Sequence, residues 1–288
     1  IINKLRSNLP DCSFPIRYTS LTAFNARYRQ GRITATGSLV YTNVTEHVKI
    51  GDVPADFQRL APSFTVSLQP WQEQLLFLRL MYKSTFRMPT FNDLYYYRLG
   101  NRSLRPEKAN EYNMGITWSR SFSSFLNYLS VTVDGYYNDV TDKIVAFPTT
   151  YAWKMANYGK VHVTGMDATL AAAASLGKNM VLVVSGGYTW QKAIDLTDAT
   201  SKSYKDQLPY TPKHSGNVSA VLEMPWVNVG YSIVGVSERY SMSQNIPENR
   251  IDGYMEHTVS LSRNFSFRHC KLRLQAEIIN LTDTQYDV

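Results

Sequence analysis

The chain has 288 residues and a formal net charge of +7, from 30 Lys and Arg against 23 Asp and Glu. It contains no run of about 18 or more apolar residues, which excludes a membrane-spanning helix. The positive residues are scattered through predicted turns and loops, so the composition does not favour nucleic-acid binding. Aromatic residues are frequent, with 20 Tyr and 5 Trp, a level typical of strand-rich proteins and of the interfacial girdles of membrane barrels.

Twelve segments alternate apolar and polar residues with the two-residue period of a β-strand. The clearest is residues 271–278, KLRLQAEI, whose polar side chains all fall on one side and whose apolar side chains fall on the other. The predicted strands are residues 19–29, 32–41, 63–69, 75–84, 110–118, 129–137, 161–173, 180–190, 215–223, 227–236, 254–263 and 271–280.

The connections between these strands form two sets that alternate strictly along the chain. Short connections are residues 30–31, 70–74, 119–128, 176–179, 224–226 and 264–270, and long polar ones are residues 42–62, 85–109, 138–160, 191–214 and 237–253. In an up-and-down sheet, alternate connections lie at opposite ends, so one end carries turns and the other carries long loops. Outer-membrane barrels have this asymmetry, whereas loops of this length are uncommon in compact soluble domains.

The distribution of charge agrees with a barrel whose apolar face meets lipid and whose polar face meets a wet lumen. Asp134, Arg273 and Glu277 all fall on the polar side of their strands, where they avoid the cost of contact with lipid. Because an open sheet with two bare edges invites aggregation, further strands are expected before Ile1 and after Val288. The sequence therefore predicts an all-β, antiparallel up-and-down transmembrane β-barrel, with a soluble β-rich domain as the alternative.

Two adjoining segments resemble a signature of the TonB-dependent outer-membrane receptors. Residues 82–95 (YKSTFRMPTFNDLY) and 100–115 (GNRSLRPEKANEYNMG) are close to the family pattern F-R-x-P-T-x-x-E-L-Y and then G-N-x-x-L-x-P-E-x-x-x-x-x-E-x-G, with Asp93 and Asn113 where Glu is common. Further segments resemble the family, in the family's order, at residues 136–144, 157–161, 165–167 and 280–286.

The resemblance implies that residues 1–288 are the C-terminal portion of a receptor barrel, about 12 strands of a barrel of about 22. The N-terminal strands, the plug domain and the last strand are then expected outside this chain. It implies a receptor that binds a ferric siderophore, haem or cobalamin at extracellular loops and imports it with energy supplied through TonB. An oligosaccharide importer and a passive porin-like barrel are the alternatives. The implied partners are TonB, the small-molecule nutrient, outer-membrane lipid and a surface lipoprotein, with no nucleic acid.

Aromatic and basic residues in the long connections are the candidate ligand contacts, because such rings stack on flat ligands and such cations attract anions. For the cluster at 95–98 the alternative is an interfacial girdle at the membrane surface. The candidates are Tyr95, Tyr96, Tyr97, Arg98, Tyr151, Trp153, Lys154, Tyr204, Lys205 and Tyr210.

No catalytic motif is present: the chain has no nucleophile motif, no Gly-rich phosphate loop and no HExxH. The five His residues are scattered, and none has metal-ligand spacing. We therefore predict that the protein is not an enzyme and has no catalytic residue, resident cofactor or metal. Asp195 and Asp198, with nearby threonines, leave a calcium-binding loop as an alternative, although their spacing is not that of an EF-hand.

The two cysteines are predicted to be free thiols. In the receptor topology Cys12 lies in an extracellular loop and Cys270 in a periplasmic turn, separated by an apolar band of about 25 Å. A disulfide requires Cα atoms within about 7 Å, so this topology excludes one.

Overall fold

The computed structural model describes residues 1–6, 13–71, 73–97, 99–148, 153–177 and 179–286. Within these ranges the chain forms one open antiparallel sheet of 13 strands, in which each strand pairs with the one before it. Its strands are β1 (Ile2–Lys4), β2 (Ile16–Gln30), β3 (Ile33–His47), β4 (Phe57–Leu68), β5 (Leu75–Arg87), β6 (Glu107–Ser121), β7 (Leu126–Pro148), β8 (Trp153–Gly177), β9 (Met180–Asp195), β10 (His214–Glu223), β11 (Asn228–Val236), β14 (Tyr254–Ser266) and β15 (Lys271–Ile278).

The remaining elements lie in the loops. They are a short helix α1 (Phe91–Tyr95), a hairpin of β12 (Arg239–Tyr240) and β13 (Arg250–Ile251), and a 3-10 turn at Pro247–Asn249. No helix among the described residues is long and apolar enough to cross a membrane.

All twelve predicted strands are confirmed, but most of them extend further toward the long loops than predicted. The predicted loop 138–160 is wrong for most of its length, because β7 and β8 stay paired through Thr141↔Lys160 to Pro148↔Trp153. The predicted loop 42–62 likewise shortens, because β3 continues to His47 and β4 starts at Phe57. Beyond the bilayer both faces of a hairpin meet water, so these segments lose the clean alternation by which strands were recognised.

The alternation of connections is confirmed. Of the described residues, one end of the sheet, the turn end, carries 31–32, 69–71, 73–74, 122–125, 179, 224–227 and 267–270. The other end, the loop end, carries 5–6, 13–15, 48–56, 88–97, 99–106, 196–213 and 237–253, and it is also where β7 ends and β8 begins.

Side chains on the polar face of the sheet are hydrogen-bonded to one another across the strands. Arg79 on β5 reaches over β6 to Asp134 on β7, with Nη2 at 3.0 Å from Oδ1. The Thr189 hydroxyl on β9 donates to Asp167 on β8 at 2.7 Å. Buried or half-buried polar groups need such partners, so this face is built to carry polar side chains next to a wet lumen.

The opposite face is apolar and has no protein partner among the described residues. Met114 and Leu80 are register partners on β6 and β5, and they are 67% and 56% exposed. Val218 on β10 is also exposed. A continuous apolar surface of this extent is unfavourable in water and favourable against lipid chains.

Three Tyr–His pairs mark the edge of the apolar face nearest the loop end. Each joins neighbouring strands through a hydrogen bond, and the three Tyr hydroxyls lie 3.2, 2.7 and 2.8 Å from His Nδ1 atoms. Rings with a polar tip suit the level of the lipid headgroups. The pairs are, in the same order, Tyr137–His162, Tyr188–His214 and Tyr231–His257.

The assignment of the two faces is testable with a matched pair of substitutions on β9. Val184 pairs with Ala172 and Ala220 on the apolar face, whereas the next residue, Ser185, lies on the polar face. In the full-length protein, Val184→Arg is expected to lower the free energy of unfolding by about 2–4 kcal/mol, because it places a charge against lipid. Ser185→Arg is expected to change it by about 0.5 kcal/mol or less. Denaturant titration in phospholipid bilayers measures both, and equal losses would contradict the assignment.

Candidate ligand-binding face at the loop end

The β5–β6 loop, residues 88–106, folds back over the polar face instead of extending outward. It begins with α1, which has a capping box: the Thr90 hydroxyl accepts from the Asp93 amide at 3.1 Å, and the Asp93 carboxylate accepts from the Thr90 amide at 2.8 Å. Such reciprocal bonds satisfy amides that a helix start leaves free. Arg87, the last residue of β5, bridges Asp93 and Glu107 at 3.4 and 3.3 Å and so holds the loop to both of its strands.

A small apolar core anchors this loop to the sheet. Leu94 and Leu104 are almost fully buried and pack on Ile144, which lies on the polar face of β7. The main chain joins as well, because the Met155 amide on β8 donates to the Leu99 carbonyl at 3.1 Å. Burying apolar side chains at this place requires the loop to cover the lumen-facing side of the sheet.

A buried carboxylate, Glu46 on β3, binds the other side of the same loop. It accepts a 2.7 Å hydrogen bond from Arg17 Nε on β2 and a second, short hydrogen bond from the Tyr95 hydroxyl. Burial, followed by the hydrogen bond and charge of Glu46, raises the pKa of the Tyr95 phenol. The phenol therefore stays protonated at neutral pH and remains a donor to Glu46.

The β9–β10 loop, residues 196–213, also folds inward. Asp195 is buried, and its carboxylate accepts from the Thr197 amide at 2.9 Å and from the Ser203 hydroxyl at 3.4 Å. The returning chain places Leu208 in a second apolar core with Val140 and Val161 of the polar face. Asp195 is thus a structural anchor whose donors come from its own loop.

The β11–β14 loop, residues 237–253, is tied to the β9–β10 loop. The Tyr210 amide donates to the Tyr240 carbonyl at 2.7 Å, and the Asn245 amide donates to Asp206 Oδ2 at 3.0 Å. These bonds connect the two loops into one surface at the loop end.

The structure places most of the predicted contacts on this surface, but it gives Tyr95 a different role. Its hydroxyl is held by Glu46 and its ring packs on the Leu94 core, so the hydroxyl is not available to a ligand. Arg98 and Tyr151 lie outside the described residues. Trp153 and Lys154, predicted in the long connection 138–160, are instead the first residues of β8. Side chains exposed at the loop end are those of Tyr96, Tyr97, Trp153, Lys154, Lys205 and Tyr210, while Tyr204 is half-buried with Lys205 Nζ 5.3 Å from its ring centre.

The residues that organise this face were not foreseen as functional. Glu46 fell in a predicted loop, and Arg17 lay before the first predicted strand. Their pairing spans 29 residues of sequence and depends on the β2–β3 register Arg17↔Glu46, which no local pattern reveals.

The structure tests the prediction of free thiols for one of the two cysteines. Cys270 is an exposed, free thiol in a connection of the turn end, as predicted, and Cys12 lies outside the described residues.

The alternative of a calcium-binding loop concerned Asp195 and Asp198. The Asp198 carboxylate accepts from the Thr200 amide and hydroxyl at 2.8 and 2.7 Å. Among the described residues no group of three or more His, Cys, Asp or Glu side chains is arranged to hold a metal ion.

An open, up-and-down wall with one apolar face, a polar lumenal face and inward-folded loops defines a part of an outer-membrane β-barrel. Residues 8–281 match the family described as "TonB dependent receptor-like, beta-barrel", and the chain belongs to that family. The protein is accordingly located in the outer membrane.

Known relatives and solved structures agree with this assignment. The chain is 25% identical over 209 residues to the vitamin B12 transporter BtuB of Photobacterium profundum, over 70% of this chain and 30% of that protein. Its fold is similar to that of the copper transporter OprC, with a TM-score of 0.73 and 14% identity over 94% of this chain and 42% of that chain. It is also similar to the ferric citrate transporter FecA in its unliganded form, with a TM-score of 0.72 and 15% identity over 98% of this chain and 43% of that chain. The chain thus spans less than half the length of each.

The Tyr95–Glu46 contact can be tested by removing a single oxygen atom. In the full-length protein, Tyr95→Phe is expected to lower the local opening free energy of the β5–β6 loop by about 1–3 kcal/mol, because a buried carboxylate oxygen loses its donor. Hydrogen exchange of the amides of residues 94–101 reports this opening. Tyr96→Phe is the control, because the neighbouring Tyr96 side chain is exposed, and it should leave exchange unchanged. Identical exchange in both variants would refute the anchoring role.

Proposed function

We propose that the protein is the barrel part of a receptor that captures a scarce nutrient at its loop end and imports it through the outer membrane with energy supplied through TonB. The observation that carries the proposal is the set of exposed aromatic and basic side chains at the loop end, in a chain that belongs to this family. Its long loops fold over the lumenal face and present exposed side chains such as Tyr96 and Lys205, and Trp153 is exposed at the same end, at the start of β8. A passive pore has no need of such a surface, whereas a receptor requires one to bind its ligand before transport.

We propose a ferric siderophore, haem or cobalamin as the nutrient class. Support comes from the relative named as a vitamin B12 transporter and from the structural neighbour named as a ferric citrate transporter. Exposed Tyr and Trp rings suit such bulky, partly flat ligands. Oligosaccharides also stack on aromatic rings, so an oligosaccharide importer is the rival within the same class of transporter.

The chain is proposed to be the C-terminal portion of the barrel domain of a longer protein. The open edges of the sheet, β1 and β15, support this, because unpaired edges need further strands to close a barrel. In this proposal the plug and the TonB-contacting segment belong to the N-terminal part, lipid surrounds the apolar face, and a surface lipoprotein is a further partner at the loop end. No catalytic step is part of the proposal.

Energy coupling is the property that separates this receptor from a porin-like barrel. The full-length protein, expressed in a strain that lacks its own uptake system, is expected to support uptake of labelled ferric siderophore, haem or cobalamin. Uptake should be lost on deletion of TonB or on collapse of the proton gradient, since import is energy-driven. Uptake that continues without TonB would indicate a passive barrel, and uptake of maltodextrins alone would favour the oligosaccharide importer.

Trp153 is the sharpest test of ligand contact at the loop end. Its side chain is 46% exposed at the start of β8, so Trp153→Ala is expected to weaken ligand binding about 5- to 30-fold through loss of a stacking surface. Trp226→Ala is the matched control, because Trp226 is 61% exposed in a turn at the opposite end. Equilibrium binding of the imported nutrient to the full-length protein measures both variants. Equal effects would remove Trp153 from the binding surface.

A further inference from the structure

A cavity of about 300 Å³ lies at the loop end between the β3–β4 loop, residues 48–56, and the β5–β6 loop. Apolar side chains form most of its wall, including Phe57, Leu94 and Leu104. Three arginines, Arg17, Arg102 and Arg105, also line it, against the single carboxylate of Asp56. We call this space the arginine cavity.

Arg17 lines this cavity and has an unused donor. Its side chain is only 9% exposed, and Nε is committed to Glu46. Nη2 of the same guanidinium is buried and has no hydrogen-bond partner among the described residues. Leaving a buried, charged donor unpaired is unfavourable, so such a group on a residue that lines the cavity points to a missing acceptor.

Arg102 is held in the cavity by the surrounding loops. Its Nη2 donates to the Ser13 hydroxyl at 2.6 Å, and its guanidinium lies 5.6 Å from the centre of the Tyr95 ring. Gly51, with φ of +89°, makes room for it, because a Cβ at that position would lie 1.8 Å from Arg102 Nη1. No carboxylate pairs with Arg102 among the described residues.

Arg105, like Arg17, already has a carboxylate partner. Its Nε donates to Asp142 Oδ1 at 2.8 Å, and the side chain is largely exposed at the cavity rim. Asp56 is exposed as well and forms no ion pair with a described residue. Among the described residues, the positive charge of the cavity that has no carboxylate partner therefore lies with Arg102, and Arg17 adds an unpaired Nη2.

We propose that the arginine cavity binds a small organic carboxylate. The carboxylate would accept hydrogen bonds from Arg17 Nη2 and from Arg102, and the apolar part of the ligand would lie against Phe57, Leu94 and Leu104. Planar guanidinium groups match carboxylates well, and a cavity of this volume is at the small end of ligand pockets, large enough for one ring or short chain. The inference deepens the proposed function and rests on it, since the carboxylate would belong to an acidic arm of the imported nutrient.

Benzoate is a suitable probe, because it joins one carboxylate to one apolar ring, and benzamide is its neutral counterpart. Calorimetric titration of the full-length protein in detergent is expected to show saturable benzoate binding at least tenfold tighter than that of benzamide. Arg102→Gln should weaken benzoate binding about tenfold, as expected for loss of a charge-assisted hydrogen bond. Arg120→Gln is the matched control, because Arg120 also lies over an aromatic ring, that of Phe122, but at the turn end.

A second variant keeps the test decisive if Arg102→Gln disturbs the loop. Ala55 is exposed at the cavity wall, so Ala55→Trp should block the cavity and abolish benzoate binding without removing either arginine. Equal affinity for benzoate and benzamide, no saturable benzoate binding, or unchanged binding in both variants would overturn the proposal.

Parallel uptake measurements separate this proposal from the proposed function. Energy-dependent nutrient uptake by a protein that does not bind benzoate would overturn the carboxylate site alone. Benzoate binding of the expected specificity without TonB-dependent uptake would instead overturn the proposed function.

Discussion

A polypeptide that crosses a bilayer as strands must satisfy every backbone amide and carbonyl through its neighbours, because lipid supplies no donor or acceptor. The continuous antiparallel ladder from β1 to β15 follows from that constraint. The ladder in turn separates two environments. Along each strand, alternate residues meet lipid, as Met114 and Val184 do, and the residues between them meet a wet lumen, as Asp134 and Ser185 do.

The same constraint is relaxed at the loop end, where water is available and the chain is free to fold back on itself. The β5–β6 and β9–β10 loops use this freedom to bury Leu94, Leu104 and Leu208 against the lumenal face. Burial of a few apolar side chains there gives the loops fixed positions, so exposed side chains such as Tyr96 and Tyr210 are presented from an ordered surface. Fixed positions reduce the entropy lost when a ligand binds.

Glu46 joins this surface to the barrel wall. One carboxylate accepts from Arg17 on the neighbouring strand and from Tyr95 on the loop, so the wall and the loop depend on the same buried charge. Removing one partner of such a group is more damaging than its net contribution suggests, since the remaining charge stays buried. Arg17 also has an unpaired donor, Nη2, and it lines the arginine cavity. One guanidinium therefore belongs both to the Glu46 contact and to the site where we propose that a carboxylate binds.

Local pattern alone determined the all-β class, the twelve long strands, their up-and-down order and the alternation of turns with loops, because each of these depends on side-chain parity within a few residues. The segments at residues 82–95 and 100–115 carried the resemblance to the receptor family. Only the tertiary structure decided that residues 138–160 are mostly hairpin, that Tyr95 serves as an anchor, and that Arg17, Glu46 and Arg102 meet. Contacts between residues far apart in sequence depend on strand register and on the path of a folded loop, and neither leaves a periodic trace in the chain.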